Sequence, residues 1–544
     1  MNRREFIKTG ALASLSSSAI AAAEKPNIVL ILADDMGFSD IGCYGGEIRT
    51  PNLDSLARQG MRFTQFCNTA RCCPTRASLL TGLYPHQAGM GHMVDNPKPF
   101  PGYTGDLNRE CVTIAELLKT AGYRTMMAGK WHVTPFTKSK HNWPLQRGFD
   151  DYYGIIHGAA DYFNPVTLTR GNEPAEPNGP DYYFTDAIAR NAVSFIESAA
   201  EKQEPFFLYA AFTAPHWPLH ALEADIARYR GRYQGGWDAL RQERHKRMIE
   251  LGIVSAKWPL TPRDSHVPAW SDAPDKEWQQ RRMEVYAAQV DRLDQGVGQI
   301  LATLERTGRG NNTLVLFLAD NGGCAEELGP NARAIHIPAK TRTGEPVVAG
   351  NRPALMPGPE STFQSYGMPW ANASNTPFRL YKHWVHEGGV ATPLIARWPG
   401  TIAPGSMTHE PGHLIDLMAT CADVSGARYP LTNRGHAIKP LEGVSLRQAF
   451  RQKKLTRRDA LYWEHEGNRA VREGKWKLVS RFPGQWELYN LQADRTELND
   501  LAPREPARVA RMTALYDRWA ARAQVEPWQK VEQAPRTPAP IPAV

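Results

Sequence analysis

The sequence predicts an α/β fold: a large, mainly parallel sheet flanked by helices, followed by a smaller C-terminal α+β domain with a short antiparallel sheet. Three observations carry this expectation. Short apolar runs of strand length break off abruptly into polar residues, helical patterns separate those runs, and near the carboxyl end the pattern changes to short alternating strands. Continuous rather than alternating apolar runs suit strands covered on both faces, as in parallel sheets. The 544 residues are 42% hydrophobic and 10% aromatic, which excludes a disordered chain or a low-complexity fibre.

Residues 1–23 join a charged start, a weakly apolar middle and the small-residue exit Ala21-Ala22-Ala23, the pattern of a secretory signal. Arg3-Arg4 before Phe6 and Lys8 resembles a twin-arginine signal, which exports folded proteins, so a periplasmic or secreted location is expected. No window holds the roughly 18 uninterrupted apolar residues of a membrane span. The net charge of +8 comes from interspersed charges, a poor match to a nucleic-acid surface. Seven cysteines in so long a chain exclude a disulfide scaffold, and folding before export further disfavours disulfides.

The strands follow in order. Residues 27–33 run into Asp34-Asp35, and a helical pattern covers residues 53–57. Residues 123–128 lead through Gly129 to Lys130-Trp131-His132, and residues 206–212 lead to Pro215-His216-Trp217. A long helical pattern over residues 282–304 precedes residues 313–319, which end in Asp320-Asn321-Gly322-Gly323. Ligands of open α/β sheets bind beyond the carboxyl ends of the strands. One aspartate after one strand is ordinarily a turn or cap former; four strand ends carrying carboxylates, lysine and histidine point to a shared site. Asp34, Asp35, Asp320 and Asn321 offer only oxygen, which suits Ca²⁺, with Mg²⁺ as the fallback. A cation would also relieve the repulsion between neighbouring carboxylates.

In Arg71-Cys72-Cys73-Pro74-Thr75-Arg76, Pro74 predicts a helix from about Thr75 through Leu80. Cys72 then lies at the helix amino terminus, where an anion is favoured, and Arg76 adds a cation one turn on. The adjacent Cys72-Cys73 pair lacks the Cys-x-x-Cys spacing of redox or metal motifs.

Cys72, Pro74, Thr75, Arg76 and Thr81-Gly82 resemble the motif of the type I, formylglycine-dependent sulfatases of the alkaline phosphatase superfamily, in a bacterial arylsulfatase-like form. The register selects Cys72 over Cys73, and Thr75 stands where Ser is commoner. Asp34-Asp35, Gly129-Lys130-Trp131-His132, Pro215-His216, Asp320-Asn321-Gly322 and Asn375-Thr376-Pro377-Phe378-Arg379 with Lys382 and Glu387-Gly388-Gly389 occur in family order. The resemblance implies a sulfatase catalytic domain over residues 24–445 and a small C-terminal domain over 446–527; the Pro-rich composition of residues 528–544 predicts a loose tail. Residues 460–479 alternate as antiparallel strands would, and residues 505–522 have helical spacing.

The resemblance also implies a mechanism. Cys72 becomes formylglycine, whose metal-held hydrate attacks sulfur and expels an alcohol; its second hydroxyl then releases sulfate by C–O cleavage. Asp34, Asp35, Asp320, Asn321 and the modified Cys72 hold the cation, and Arg76 and Lys130 steady the developing charge. His132 is the base; His216 and Lys382 bind sulfate oxygens, with His216 protonating the leaving alcohol. The partners implied are a sulfated small molecule or glycan and a cytoplasmic formylglycine-generating or sulfatase-maturing enzyme. His86, His92, His383 and His386 carry no assigned role. Residues 325–372, a Pro/Gly-rich stretch with Arg333, Arg342, Trp370 and the histidine His336, are expected to wall the pocket and set specificity. Two other readings stay open: a phosphomonoester or phosphonate-ester hydrolase of the same superfamily, and a secreted glycan-binding protein on an inactive fold.

Overall fold

A computed structural model of the protein describes residues 25–137, 139–457 and 460–537. The signal reading of residues 1–23 therefore lies outside the described residues. Eleven strands form the large sheet. Its centre runs in the order Ala391–Arg397, Thr313–Ala319, Asn27–Ala33, Phe206–Ala211, Arg124–Lys130 and Asp151–Ile155. The last five are mutually parallel, whereas Ala391–Arg397 is antiparallel to its neighbours on both sides. The strands Asn27–Ala33, Phe206–Ala211 and Thr313–Ala319 are buried throughout.

Period-two alternation divides the core into two layers. Val29, Ile31 and Ala33 face the layer holding the helices Phe184–Glu201 and Lys276–Arg306. Ile28, Leu30 and Leu32 face the layer holding Cys72–Thr81, Ile114–Lys119 and Asp416–Ser425. Because parallel strands end on the same edge, Asp34, Lys130, His216 and Asp320 emerge together. The helix Cys72–Thr81 starts three residues before the expected Thr75, with Pro74 in its first turn, where no intrahelical N–H bond is needed.

The C-terminal part is a four-stranded antiparallel sheet, Leu461–His465, Asn468–Glu473, Trp476–Ser480 and Glu487–Asn490, covered by the helix Pro506–Ala523. Tyr462 and Trp519 stack between them with ring centroids 5.1 Å apart. The expectation of a loose tail from residue 528 is corrected for residues 528–534. Trp528–Gln533 is a helix with Val531 fully buried, Trp528 packs on His92, and Lys98 Nζ donates to the Ala534 carbonyl at 2.7 Å. Trp528 and Val531 lie one turn apart and share a helix face, an anchor that the surrounding prolines mask in composition. Among the described residues no helix is long and apolar enough to cross a membrane, and all seven cysteines are free.

Candidate active site

The strand Asn27–Ala33 delivers Asp34 and Asp35 at its carboxyl end, and its parallel neighbour Thr313–Ala319 delivers Asp320 and Asn321. All four are at most 1% exposed. The Asp35 N–H donates to Asp320 Oδ1 at 3.1 Å, and Asn321 Nδ2 donates to Asp35 Oδ1 at 2.6 Å, which locks the two strand ends together.

Basic side chains close around these carboxylates. Lys130 Nζ donates to Asp34 Oδ2 at 2.6 Å. Arg76 Nη2 donates to Asp320 Oδ2 at 2.9 Å and stands 3.4 Å from Asp34 Oδ2, while its Nη1 donates to the Lys130 carbonyl. Lys382 Nζ donates to Asp35 Oδ2 at 2.9 Å. Gly129 makes the placement of Lys130 possible: its φ is 118°, and a Cβ there would lie 1.9 Å from the Ala211 carbonyl oxygen.

Cys72 opens the helix Cys72–Thr81 and is 2% exposed. A hydrogen bond from Cys73, then Lys130, His132 and Lys382, hold its thiol well below the ordinary range against the opposing effect of burial. Cys73 turns into the core, with its Sγ 3.5 Å from Met93 Sδ, and burial pushes its thiol up. Thr75, in the place where Ser is commoner, donates to the Asp320 carbonyl at 2.7 Å and ties the helix to the end of the strand Thr313–Ala319.

His132 is buried, and neither ring nitrogen has a hydrogen-bond partner; burial lowers it to about 4, so it is neutral near pH 7. His216 Nδ1 faces the Trp217 carbonyl at 2.6 Å, and its Nε2 faces Lys382 Nζ at 3.5 Å and Asp35 Oδ2 at 3.4 Å. Burial lowers His216 also to about 4.

The site fits a hard divalent cation. Asp34 Oδ1 and Asn321 Oδ1 are buried oxygens without hydrogen-bond partners, beside further carboxylate oxygens of Asp35 and Asp320. Burial and the neighbouring Asp34 push Asp320 up to about 8 against the opposing pull of Arg76 and Lys130, so a bound cation would favour its ionised form.

Comparisons with known proteins show the family. The Sulfatase family model matches residues 26–427, and that for the C-terminal part of N-sulphoglucosamine sulphohydrolase matches residues 378–518. The chain belongs to the sulfatase family. It is a type I sulfatase of the alkaline phosphatase superfamily, an enzyme of sulfate-ester hydrolysis. An uncharacterized sulfatase of Schizosaccharomyces pombe is 34% identical over 89% of this chain and 92% of its own. An arylsulfatase of Klebsiella aerogenes is 33% identical over 85% of this chain and all of its own. The crystal structure of Ps i-CgsB in complex with k-i-k-neocarrahexaose superposes with a TM-score of 0.67 at 26% identity, covering 93% of this chain and 95% of that one.

Every sequence-singled residue of the sulfatase site converges here: Asp34, Asp35, Cys72, Arg76, Lys130, His132, His216, Asp320, Asn321 and Lys382. The segment over residues 325–372 walls the mouth through its histidine, His336, and not through Trp370 or Arg342. Trp370 is fully buried and donates to the Gln279 carbonyl, and Arg342 reaches away to the Gly179 carbonyl. Glu326 and His336 take that place. Glu326 pairs with Arg71 at 3.1 Å and accepts from Trp217 Nε1 at 2.9 Å. The His336 ring packs 5.6 Å from Trp217 and 5.0 Å from His157, which in turn stacks on His132. Arg71, His157 and Glu326 lie in loops without periodicity, so the sequence held no signal for them. His86 pairs with Glu464 at 2.7 Å, and His386 lies 3.5 Å from Glu487; both face the C-terminal sheet.

Proposed function

We propose that this sulfatase cleaves sulfate monoesters of aryl or carbohydrate alcohols, with Cys72 converted to formylglycine and Ca²⁺, or failing that Mg²⁺, held by Asp34, Asp35, Asp320 and Asn321 with the modified residue 72. The charge count at the site carries this reading. Three carboxylates, Asp34, Asp35 and Asp320, face three basic groups, Arg76, Lys130 and Lys382. A divalent ion leaves the set two charges positive. One ionised hydroxyl and one monoanionic sulfate ester neutralise that surplus, whereas a phosphate dianion would overshoot it.

With residue 72 present as the aldehyde hydrate, an ion held by Asp34, Asp35, Asp320 and Asn321 would supply Lewis acidity to its hydroxyl and to a sulfate oxygen. Arg76 and Lys130, immobilised by Asp320 and Asp34, keep positive potential at the amino end of the helix, where charge develops. Neutral His132, with both nitrogens free, is suited to accept a proton from residue 72 as sulfate departs. In neutral His216, Nδ1–H donates to the Trp217 carbonyl, which leaves Nε2 bare towards Lys382. The proton for the leaving alcohol thus comes from the Lys382–His216 pair rather than from neutral His216 alone. Trp217 and His336 offer flat faces to the alcohol, in keeping with the arylsulfatase and oligosaccharide-bound relatives. Residues 1–23 support export to the periplasm or beyond, with Cys72 converted by a maturing enzyme in the cytoplasm beforehand.

Matched aryl sulfate and aryl phosphate substrates test the reading. The sulfate should give the higher kcat/KM, chelation should abolish turnover, and Ca²⁺ should restore it. A preference for the phosphate would assign the chain to phosphoester hydrolysis instead, and full activity in metal-free protein would discard the cation's part.

A further inference from the structure

A second cluster of metal-binding donors lies apart from the oxygen cage, where the large domain meets the antiparallel sheet. His92 comes from the loop after residues 85–88, His465 ends the strand Leu461–His465, and Glu466 sits in the turn that follows. His92 Nδ1 stands 3.2 Å and His465 Nε2 3.5 Å from the same oxygen, Glu466 Oε1. One donor atom from each residue falls within 4.8 Å of the others. We propose that His92, His465 and Glu466 bind a borderline divalent cation such as Zn²⁺, which staples the two parts of the chain together.

Four further observations support the site. His465 is fully buried, yet neither ring nitrogen has a hydrogen-bond partner, an arrangement that proteins ordinarily avoid; a metal bond would satisfy Nε2, the nitrogen that faces Glu466. The turn is strained for its sequence: Glu466 has φ 51° and Gly467 φ 80°, and such paired positive angles favour Asn, Asp or Gly rather than Glu. The carboxylate is also held from behind. His383 Nδ1 lies 2.9 Å from Glu466 Oε2, and His383 Nε2 faces the Asn468 amide nitrogen at 3.3 Å, an outer layer of the kind that orients metal ligands. Finally, Trp528 packs 5.1 Å from the His92 ring and covers it.

The donor set separates this site from the catalytic one. Two imidazoles and one carboxylate, with water completing a tetrahedron, suit zinc, whereas the all-oxygen cage suits calcium or magnesium. Arg71, whose charge also reaches Glu466, pairs directly with Glu326 at 3.1 Å. Binding through His92 Nδ1 needs a proton on Nε2, which now faces the Asn96 amide nitrogen at 2.9 Å. That amide must turn its oxygen to the ring on metal binding. An aspartate at position 96 would accept the Nε2 proton without turning and so strengthen the site.

The test uses full-length protein loaded with Ca²⁺ and titrated with Co²⁺, the spectroscopic stand-in for Zn²⁺. One equivalent of Co²⁺ should bind with the intense visible absorption of tetrahedral coordination, which an oxygen-only octahedral site does not give. His465→Ala and Glu466→Gln should each lose that band and keep Ca²⁺-supported turnover of aryl sulfate. Asn96→Asp should tighten Co²⁺ binding by about tenfold, and it carries the test should His465→Ala fail to fold. No tetrahedral equivalent, a band unchanged in His465→Ala, or weaker binding in Asn96→Asp would overturn the proposal and leave a histidine network bonded around Glu466.

Discussion

Lys382 Nζ lies 2.9 Å from Asp35 Oδ2 and 3.5 Å from His216 Nε2, so one ammonium joins a carboxylate at the end of one strand to an imidazole beyond its parallel neighbour. Asp35 anchors the lysine, and in the proposed mechanism His216 shares its proton. Lys382→Met keeps the chain's reach and removes both functions. The expected loss in kcat/KM is on the order of a thousandfold for alkyl sulfates, whose alkoxides need a proton to leave. It should be much smaller for nitrophenyl sulfate, whose phenolate leaves unaided. A series of esters graded by alcohol pKa reads the difference as a steeper dependence on the leaving group. Equal loss across the series would show that Lys382 only binds sulfate.

The parts of this site that the sequence revealed are those written within single short segments. Asp34 after residues 27–33 and Asp320 after residues 313–319 were legible because continuous apolar runs mark buried parallel strands, whose ends share an edge. The position of Cys72 was legible because Pro74 and Arg76 stand in fixed register with it. What stayed hidden depends on contacts between distant segments. The antiparallel strand Ala391–Arg397 is as uniformly buried as its parallel neighbours, so its direction left no trace in composition. Glu326 reaches Arg71, and Glu466 reaches His92, only because loops from separate parts of the chain converge. Trp370 misled because a tryptophan in a Pro/Gly-rich stretch suits a pocket wall, yet here it packs edge-on against Trp237 in the core.

The two adjacent cysteines should differ sharply. Cys72 faces Lys130, His132 and the carboxylates, whereas Cys73 belongs to the apolar layer beneath. Peptide mass spectrometry of active enzyme should find an aldehyde at residue 72 and a thiol at residue 73. Cys72→Ala should fold and fail to turn over substrate, because one small side chain contributes little to the core. Cys73→Ala should keep most activity and lose about 1 kcal/mol of stability for the small void. An unmodified Cys72 thiol in fully active protein would rule out formylglycine chemistry.

A buried ionic network fastens the antiparallel sheet to the large domain. Lys477 Nζ is 2.9 Å from Glu387 Oε1 and 2.9 Å from Glu497 Oε1, and Arg495 Nε donates to Glu387 Oε2 at 2.8 Å. All of these side chains are at most 1% exposed. Lys477→Met leaves buried Glu497 without the ammonium it pairs with, while Glu387 keeps Arg495, and the expected cost is about 3–5 kcal/mol. Urea denaturation measures it. Adding Glu497→Gln to Lys477→Met should recover part of the loss, since one uncompensated charge is then removed. A second substitution that only adds to the damage would contradict the electrostatic account.

Acid sensitivity should trace in part to His413. Its ring lies 5.3 Å from Trp463 and 5.9 Å from Tyr84, and its Nδ1 accepts the Ile415 N–H at 3.2 Å. Burial first, and then the positive charge of Arg457, lower its pKa from 6.5 to about 3. The unfolded chain therefore takes up a proton below about pH 6.5 that the folded chain refuses until about pH 3. The stability that His413 contributes is complete above that window and is lost as pH falls through it, at about 1.4 kcal/mol per pH unit. His413→Asn offers an amide oxygen to the Ile415 N–H and does not titrate. Its stability relative to the native protein should improve by about 2 kcal/mol between pH 6.5 and 5. His132 and His216 titrate alike in both proteins and cancel in that difference. Parallel denaturation profiles for the two proteins across this range would show that His413 does not govern the acid limb.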